Sequence, residues 1–204
     1  MITKKDIRYS LVAGFLTGVC ALLVFSNVQT LSFLEKFKVA IVFVTPLIFL
    51  IGFFVLAGIS KIPKLSIIQQ IGKFGMVGIL NTMVDFGILN LLIAFTGITS
   101  GISLAYLNGI SFSVAVVNSF FWNRFWVFGE QQSVGGISGF FRFLLISVIA
   151  VGLNSAIVTV LATFVHAPFG LDQKTWINLA KIFATLFSLV WNFLGYKFIG
   201  FKKS

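Results

Sequence analysis

Long apolar runs, separated by short polar segments, divide the chain into six stretches. A helix needs about 20 residues to cross about 30 Å of hydrocarbon, and the stretches approach or exceed that length. The first is the shortest and follows a basic segment without a convincing cleavage signal, which favours a signal anchor over a signal peptide. We predict transmembrane helices over Tyr9–Phe25, Val39–Ile59, Phe74–Phe95, about Ile102–Val127, Phe143–Val165 and Ile177–Ile199.

The last four predicted helices contain an internal repeat at a constant offset of 73 residues. Each copy holds two apolar stretches, so the repeated unit is a membrane-spanning helical hairpin. Transporters use parallel duplication of this kind to form a site between similar halves, although a membrane anchor can also carry it. The residues that define the register are Asn81 with Asn154, Thr82 with Ser155, Gly97 with Gly170, Arg124 with Lys197 and Phe128 with Phe201.

These patterns predict an all-α fold, a polytopic membrane bundle of six transmembrane helices. Residues 1–66 form an accessory N-terminal hairpin, because this segment lacks the asparagine and the aromatic-basic ending of the repeat. Residues 67–204 form a four-helix core built from two duplicated hairpins, with copies at about 70–128 and 143–201.

Composition excludes a soluble protein, since 58% of the residues are hydrophobic, only 10% are charged and the mean hydropathy is +1.06. The net charge of +10 would suggest nucleic acid in a soluble chain. Here the basic residues lie mainly between apolar runs, so membrane orientation explains them and no nucleic-acid partner is expected. The single cysteine, Cys20, excludes an internal disulfide and a cysteine-based metal cluster.

Basic residues are unequally divided between the two sides of the predicted bundle. One side carries Lys36, Lys38 and Lys174. The other carries Lys4, Lys5, Arg8, Lys61, Lys64, Lys73, Arg124, Arg142, Lys197, Lys202 and Lys203. The positive-inside rule therefore predicts a multi-pass protein of the cell membrane with both termini in the cytoplasm.

Two charged residues lie inside predicted helices, where each needs a partner or a function. Asp85 shares a helix face with Asn81 and lies about 18 Å beyond Lys73, at a rise of about 1.5 Å per residue. Lys181 enters from the opposite side at a similar depth. We expect an Asp85–Lys181 ion pair in the outer half of the bundle, with either a functional or a purely structural role.

Further polar residues extend this interior pattern. Lys181, Thr185, Ser188 and Asn192 form one stripe on the sixth helix, at spacings of four, three and four. Asn81 and its repeat mate Asn154 are compatible with close helix packing or with a polar cavity. For the serines and threonines, hydrogen bonding between packed helices is the favoured interpretation.

A basic residue flanked by aromatic rings ends each repeat copy. The first copy has Trp122, Arg124 and Trp126, and the second has Tyr196 and Lys197. Such a group can bind a lipid phosphate, with the rings facing a sugar or an isoprenoid chain. An aromatic belt with positive-inside anchoring is the simpler interpretation of the same residues.

No catalytic motif or metal site is evident. His166 and Asp172 fall in one predicted external loop without a second histidine or a carboxylate cluster, so no metal is expected. The chain also lacks a nucleophile elbow, a phosphate-binding loop and a dinucleotide glycine pattern. We therefore expect a protein that is not an enzyme and carries no cofactor.

Two segments resemble the GtrA-like family of membrane proteins over about residues 70–201. The first runs from Gly78 to Asp85 and the second from Asn123 to Phe128, while Ala180-Lys181 and the segment from Asn192 to Phe201 resemble the degenerate second repeat. The ending departs from the family pattern at Gly200 and Phe201, and Val158 stands at the repeat position of Asp85.

The resemblance implies a flippase that moves a polyprenyl-phosphate-linked monosaccharide across the membrane for cell-surface polysaccharide biosynthesis. The alternative is a non-transporting anchor or assembly subunit of a membrane glycosyltransferase that uses polyprenyl phosphate. Besides the lipid-linked sugar, the partners would be membrane lipids and such an enzyme. A homodimer would help a small bundle to enclose a path, but the sequence leaves the oligomeric state open.

Under the flippase hypothesis the residues take three roles. The phosphate would bind Arg124 and Lys197. The headgroup would meet the aromatic side chains of Trp122, Trp126 and Tyr196. A polar seam for the sugar would consist of Asn81, Asp85, Asn154, Lys181 and Asn192.

Overall fold

The computed structural model describes residues 3–28, 37–60, 67–127 and 136–195, and these ranges contain helices and no strand. The helices are α1 (Lys4–Asn27), α2 (Lys38–Ile59), α3 (Ile67–Thr96), α4 (Gly101–Trp122), α5 (Gly136–Phe164) and α6 (Gln173–Gly195). A π-helical turn, Asn123–Val127, continues α4, and a 3₁₀ turn, Pro168–Gly170, precedes α6. The predicted all-α fold with six helices is confirmed.

Five of the described helices are long and apolar enough to cross a membrane, with spans at Lys4–Asn27, Lys38–Ile59, Gly72–Thr96, Gly101–Val127 and Leu145–Phe164. The sixth helix, α6, has 23 residues and is therefore about 35 Å long. That length is enough to cross about 30 Å of hydrocarbon. The chain is a multi-pass membrane protein.

Several helices extend beyond the predicted apolar runs. The third begins at Ile67 rather than Phe74, and the fifth begins at Gly136 rather than Phe143. Backbone hydrogen bonding continues a helix past the hydrocarbon boundary, whereas an apolar-run criterion stops there. The sixth helix is described to Gly195, so the last predicted residues, 196–199, lie outside the described ranges.

Among the described residues, the two larger apolar clusters lie at opposite ends of the bundle, and a smaller one joins Val24 and Val28 of α1 to Phe86 of α3. We define the inner end as the end where α1 begins and α6 ends, and the outer end as the end that carries Gly97 and Gly170. The inner cluster combines residues of α1, α2, α3 and α4 with the π-helical turn. The outer cluster combines residues of α3, α4, α5 and α6. Helices α3 and α4 therefore contribute to both clusters.

The two helices of the N-terminal hairpin pack closely on each other, and α1 packs closely on the first repeat copy. A Cβ atom on Gly14 of α1 would lie 2.5 Å from Cα of Pro46, which is too close for any side chain. On α3, a Cβ atom on Gly87 would lie 2.9 Å from Cβ of Cys20 on α1. Small residues at these crossings let the helix backbones approach, as is common in membrane bundles.

The repeat glycines have the same backbone conformation. Gly97 follows α3, Gly170 precedes α6, and both have a φ of 69°. This left-handed region favours glycine because a Cβ atom would be strained there. The shared register of Gly97 and Gly170 therefore reflects a shared turn requirement in the two hairpins.

Asp172 caps the first turn of α6. Its carboxylate accepts hydrogen bonds from the Thr175 amide at 3.0 Å and from the Thr175 hydroxyl. Burial raises the pKa of Asp172, but the hydrogen bonds from Thr175 and from nearby backbone amides together hold that pKa below its ordinary value. The carboxylate thus stays ionised and stabilises the positive end of the helix.

A buried carboxylate ties α1 to the repeat core at the inner end. Asp6 Oδ1 lies 2.5 Å from Lys73 Nζ and accepts a hydrogen bond from Trp126 Nε1 at 3.2 Å. Its other oxygen, Oδ2, accepts from the Thr3 hydroxyl at 2.8 Å in a capping box. One aspartate therefore connects α1 to α3 and to the π-helical turn.

We predict that Asp6→Ala lowers the free energy of unfolding by about 1.5–3 kcal/mol, because hydrogen bonds between charged groups contribute about that much. The substitution leaves Lys73 and Trp126 without their shared acceptor. Thermal unfolding in detergent measures the change. Thr3→Ala is the matched control, since it removes the capping box but keeps the ion pair. Equal destabilisation by the two variants would contradict a stabilising role for the contacts of Asp6 with Lys73 and Trp126.

Candidate functional site

Lys181 lies in the middle of α6 and has no exposed surface. Its ammonium group makes three hydrogen bonds, as many as it has N–H donors. It donates to Asp85 Oδ1 at 2.8 Å, to Asn108 Oδ1 at 2.5 Å and to Ser111 Oγ at 3.2 Å. The acceptors come from α3 and α4, so the charge of α6 is neutralised by other helices.

The predicted ion pair between Asp85 and Lys181 is confirmed. Asp85 is 4% exposed and also accepts a hydrogen bond from the Ser111 hydroxyl at 2.7 Å. A buried charge pair is tolerated only when further hydrogen bonds satisfy its remaining polar atoms. Here Ser111 and Asn108 of α4 provide them.

Hydrogen bonds continue from this pair through all four core helices. Asn108 Nδ2 donates to Asn154 Oδ1 at 2.8 Å and to Ser155 Oγ at 3.2 Å on α5. Asn154 Nδ2 donates to Ser188 Oγ on α6 at 3.3 Å, which closes a loop back to the helix of Lys181. We refer to these buried residues as the polar ring; they are Asp85, Asn108, Ser111, Asn154, Ser155, Lys181 and Ser188.

The polar ring lies where the two repeat copies meet. Asn108 and Lys181 occupy equivalent repeat positions, and their side chains are within hydrogen-bond distance of each other. Equivalent residues of two copies can touch only near the axis that relates those copies. The ring is nevertheless asymmetric, because Val158, the mate of Asp85, is buried in the outer apolar cluster.

A second polar contact, nearer the outer end, was not predicted. Asn90 and Asn178 exchange two amide hydrogen bonds, of 2.7 and 3.1 Å, between α3 and α6. Asn27 at the end of α1 donates to the Asn90 carbonyl at 2.8 Å. The available signal was an amide in each of two apolar helices, but nothing in the spacing identified the partners.

Asn81 and the two predicted tryptophans lie at the inner side of the ring. Trp122 Nε1 donates to Asn118 Oδ1 at 3.0 Å, and Asn118 Nδ2 donates to Asn81 Oδ1 at 2.5 Å. The rings of Trp122 and Trp126 pack against Tyr9 of α1, with centroid distances of 5.7 and 6.2 Å. Trp122 and Trp126, which the sequence predicts near the headgroup, therefore also contact the N-terminal hairpin.

The side chains of the remaining predicted site residues lie outside what the structure describes. For Arg124 and Asn192 only the backbone is described, in the π-helical turn and in α6, whereas Tyr196 and Lys197 lie beyond Gly195. A π-helical turn at Arg124 is notable, since such turns frequently mark functional sites. The phosphate-binding role of Arg124 and Lys197 stays a prediction.

The geometry of the ring limits what it can do chemically. Its members are at most 8% exposed, so a polar group can reach them only if core helices separate. Among residues 3–28, 37–60, 67–127 and 136–195, no group of three or more His, Cys, Asp or Glu could hold a metal ion. The charged, amide and hydroxyl groups of the ring can exchange their hydrogen bonds for hydrogen bonds with a polar ligand.

Comparisons with known proteins agree with the membrane architecture. A family model described as "GtrA/DPMS, transmembrane domain" matches residues 73–201. "Uncharacterized membrane protein YngA" of Bacillus subtilis (strain 168) is 31% identical over 130 residues, which cover 63% of this chain and 76% of that protein. No solved structure matches the chain significantly. The chain therefore belongs to the family of GtrA/DPMS transmembrane domains.

Proposed function

We propose that the protein is a membrane translocase for a polyprenyl-phosphate-linked monosaccharide in cell-surface polysaccharide biosynthesis. Family membership indicates a membrane protein in polyprenyl-phosphate sugar processes. The observation that carries the proposal is the polar ring, in which both repeat copies surround a buried ion pair.

Energetics favour transport over anchoring. A charged side chain at the centre of a membrane helix costs at least about 2.5–3.5 kcal/mol on insertion scales, and an anchor needs no such residue. Here a lysine and an aspartate, supplied by different repeat copies, lie at the junction of those copies. That position is where duplicated transporters place their substrate sites.

In the proposed mechanism the polyprenyl tail stays in lipid while the polar head passes between the repeat copies. Arg124 and Lys197 capture the phosphate at the inner end, with Trp122, Trp126 and Tyr196 near the headgroup. Asn81, Asp85, Asn154, Lys181 and Asn192 then exchange hydrogen bonds with sugar hydroxyls. Because the ring is closed in this structure, α3 and α6 must separate during transport.

Transport of a labelled polyprenyl-phosphate sugar in proteoliposomes tests the proposal. Flipping above the rate of protein-free liposomes is expected. The competing function, a non-transporting anchor or assembly subunit of a glycosyltransferase, predicts no flipping and co-purification with that enzyme. This second result would overturn the translocase function.

We predict that the double variant Arg124→Ala, Lys197→Ala lowers flipping about tenfold or more, because charge-assisted hydrogen bonds to phosphate are lost. The measurement is the initial rate in proteoliposomes at matched protein content. Lys4→Ala, Arg8→Ala is the matched control, since it removes two exposed basic residues at the same end of the bundle. Similar rates for the two double variants would reject the phosphate role.

The ion pair generates a separate prediction. Asp85→Asn or Lys181→Met alone should destabilise the protein by about 3–5 kcal/mol, because each leaves a buried polar or charged group uncompensated. The double substitution should recover most of the stability but should not recover flipping if the charges act on substrate. Thermal unfolding and transport of the four proteins form a double-mutant cycle. Absence of stability coupling would contradict an ion pair between Asp85 and Lys181. Full flipping by the double variant would show that the pair has a purely structural role.

A further inference from the structure

One face of α3 is covered at the outer end and uncovered at the inner end. Residues seven apart lie at nearly the same angle around a helix, because two turns contain about 7.2 residues. Ile79 is 54% exposed, whereas Phe86 on the same face is 6% exposed. Gly78 is exposed, whereas Asp85 on the same face is 4% exposed. The cover over this face therefore ends between these two levels.

Two elements cover the outer part of this face: Val24 and Val28 of α1 pack on Phe86, and α6 covers Asp85. At that level Lys181 reaches Asp85, and Asn178 pairs with Asn90. At the inner level, the apolar cluster around α3 draws on α1, α2, α4 and the π-helical turn, and no described residue of α5 or α6 joins it. Yet α6 continues to Gly195, far enough to reach the inner end. The two helices thus diverge towards the inner end and leave a crevice between them.

We define the α3–α6 crevice by Gly75, Gly78, Ile79 and Thr82 on α3 and by Thr185 on α6. A Cβ atom on Gly75 or Gly78 would meet no atom within 4 Å, so the space beside the helix is open. Thr185 follows Asn178 by seven residues and therefore lies on the face of α6 that turns towards α3. The crevice closes at the level of the Asp85–Lys181 pair.

The closed end of the crevice has unused hydrogen-bonding capacity. Thr185 Oγ1 is buried and has no hydrogen-bond partner in the described part of the chain. Thr82 Oγ1 donates to the Gly78 carbonyl of its own helix, at 3.0 Å, and keeps its lone pairs. An unpaired hydroxyl in an apolar environment is costly, so a ligand that supplies hydrogen-bonding atoms would be stabilised there.

We propose that the α3–α6 crevice admits the polar head of a polyprenyl-phosphate-linked sugar sideways from the inner leaflet. This inference rests on the proposed function and deepens it by assigning an entry site. The open side, with the exposed Ile79, suits the apolar tail, and the closed end offers hydroxyls next to the polar ring. The structure is then the inward-open form, closed at the outer end by Asp85–Lys181 and Asn90–Asn178.

Depth distinguishes this ligand from a resident phospholipid. Thr82 lies nine residues beyond Lys73 and therefore about 14 Å from the inner boundary. A phospholipid keeps its headgroup at the interface and would present only hydrocarbon at that depth. A sugar headgroup drawn into the crevice instead presents hydroxyls that can bond to Thr82 and Thr185.

Site-specific photo-crosslinking tests occupancy directly. A photoreactive amino acid replaces Ile79 in one protein and Val117 of α4 in the other; both native side chains are 54% exposed. The probe is a polyprenyl-phosphate-linked hexose, radiolabelled in the sugar, in phosphatidylglycerol vesicles. We expect at least fivefold more label at position 79, reduced by unlabelled probe. Equal labelling, or crosslinking mainly to phosphatidylglycerol or to a second copy of the chain, would overturn the entry site.

A plug variant separates the entry site from the function. Gly78→Leu fills the crevice, and Gly152→Leu on α5 is the matched control, because neither Cβ atom would meet another atom within 4 Å. We expect Gly78→Leu to lower labelling at position 79 and flipping at least tenfold, with Gly152→Leu near wild type. Normal flipping by Gly78→Leu would reject the crevice while the translocase function stands. Labelling at position 79 without wild-type flipping would reject transport while the crevice stands.

Discussion

An ammonium group in the interior of a membrane bundle must have every N–H donor satisfied by protein, because no water is present to compensate. Lys181 meets this requirement with acceptors from α3 and α4. This one side chain therefore constrains the position of α6 relative to these two helices. Asn108 extends the constraint to α5, since its amide group accepts from Lys181 and donates to Asn154. The four core helices are thus held at one level by a continuous set of hydrogen bonds.

This single level separates the two larger apolar clusters. On the outer side of the ring the second repeat copy packs against α3 and α4. On the inner side the N-terminal hairpin supplies much of the packing, with Phe49 and Phe53 of α2 against α3, and α1 also packs on Phe86 further out. The hairpin lies outside the segment matched by the family, yet Asp6 binds Lys73 and Trp126, which lie inside that segment. In this chain the hairpin is therefore a structural part of the first copy.

The helices, the repeat and the Asp85–Lys181 pair could be predicted from sequence, because each depends on a property that is local or periodic. Apolar length predicts a helix, and a constant offset predicts a repeat. Two isolated opposite charges at equal depth have only each other as ionic partners. The Asn90–Asn178 and Asp6–Lys73 contacts could not be predicted, because they depend on how two helices rotate about their own axes. Helix ends such as Ile67 were missed because hydropathy changes at the membrane boundary, whereas backbone hydrogen bonding continues past it.

Asymmetry between the two repeat copies places the buried charges on one side of the bundle. Two identical hairpins would place the same residue at positions 108 and 181, and two lysines near one axis would repel each other. Asparagine at position 108 removes that repulsion and provides an acceptor for Lys181. Asp85, whose repeat mate is Val158, balances the charge of Lys181. The charges consequently lie on the α3–α6 side of the axis, where α3 is uncovered at the inner end. A ligand that breaks the Asp85–Lys181 contact would loosen this seam without disturbing the amide contact between α4 and α5, because Asn108 and Asn154 can stay paired.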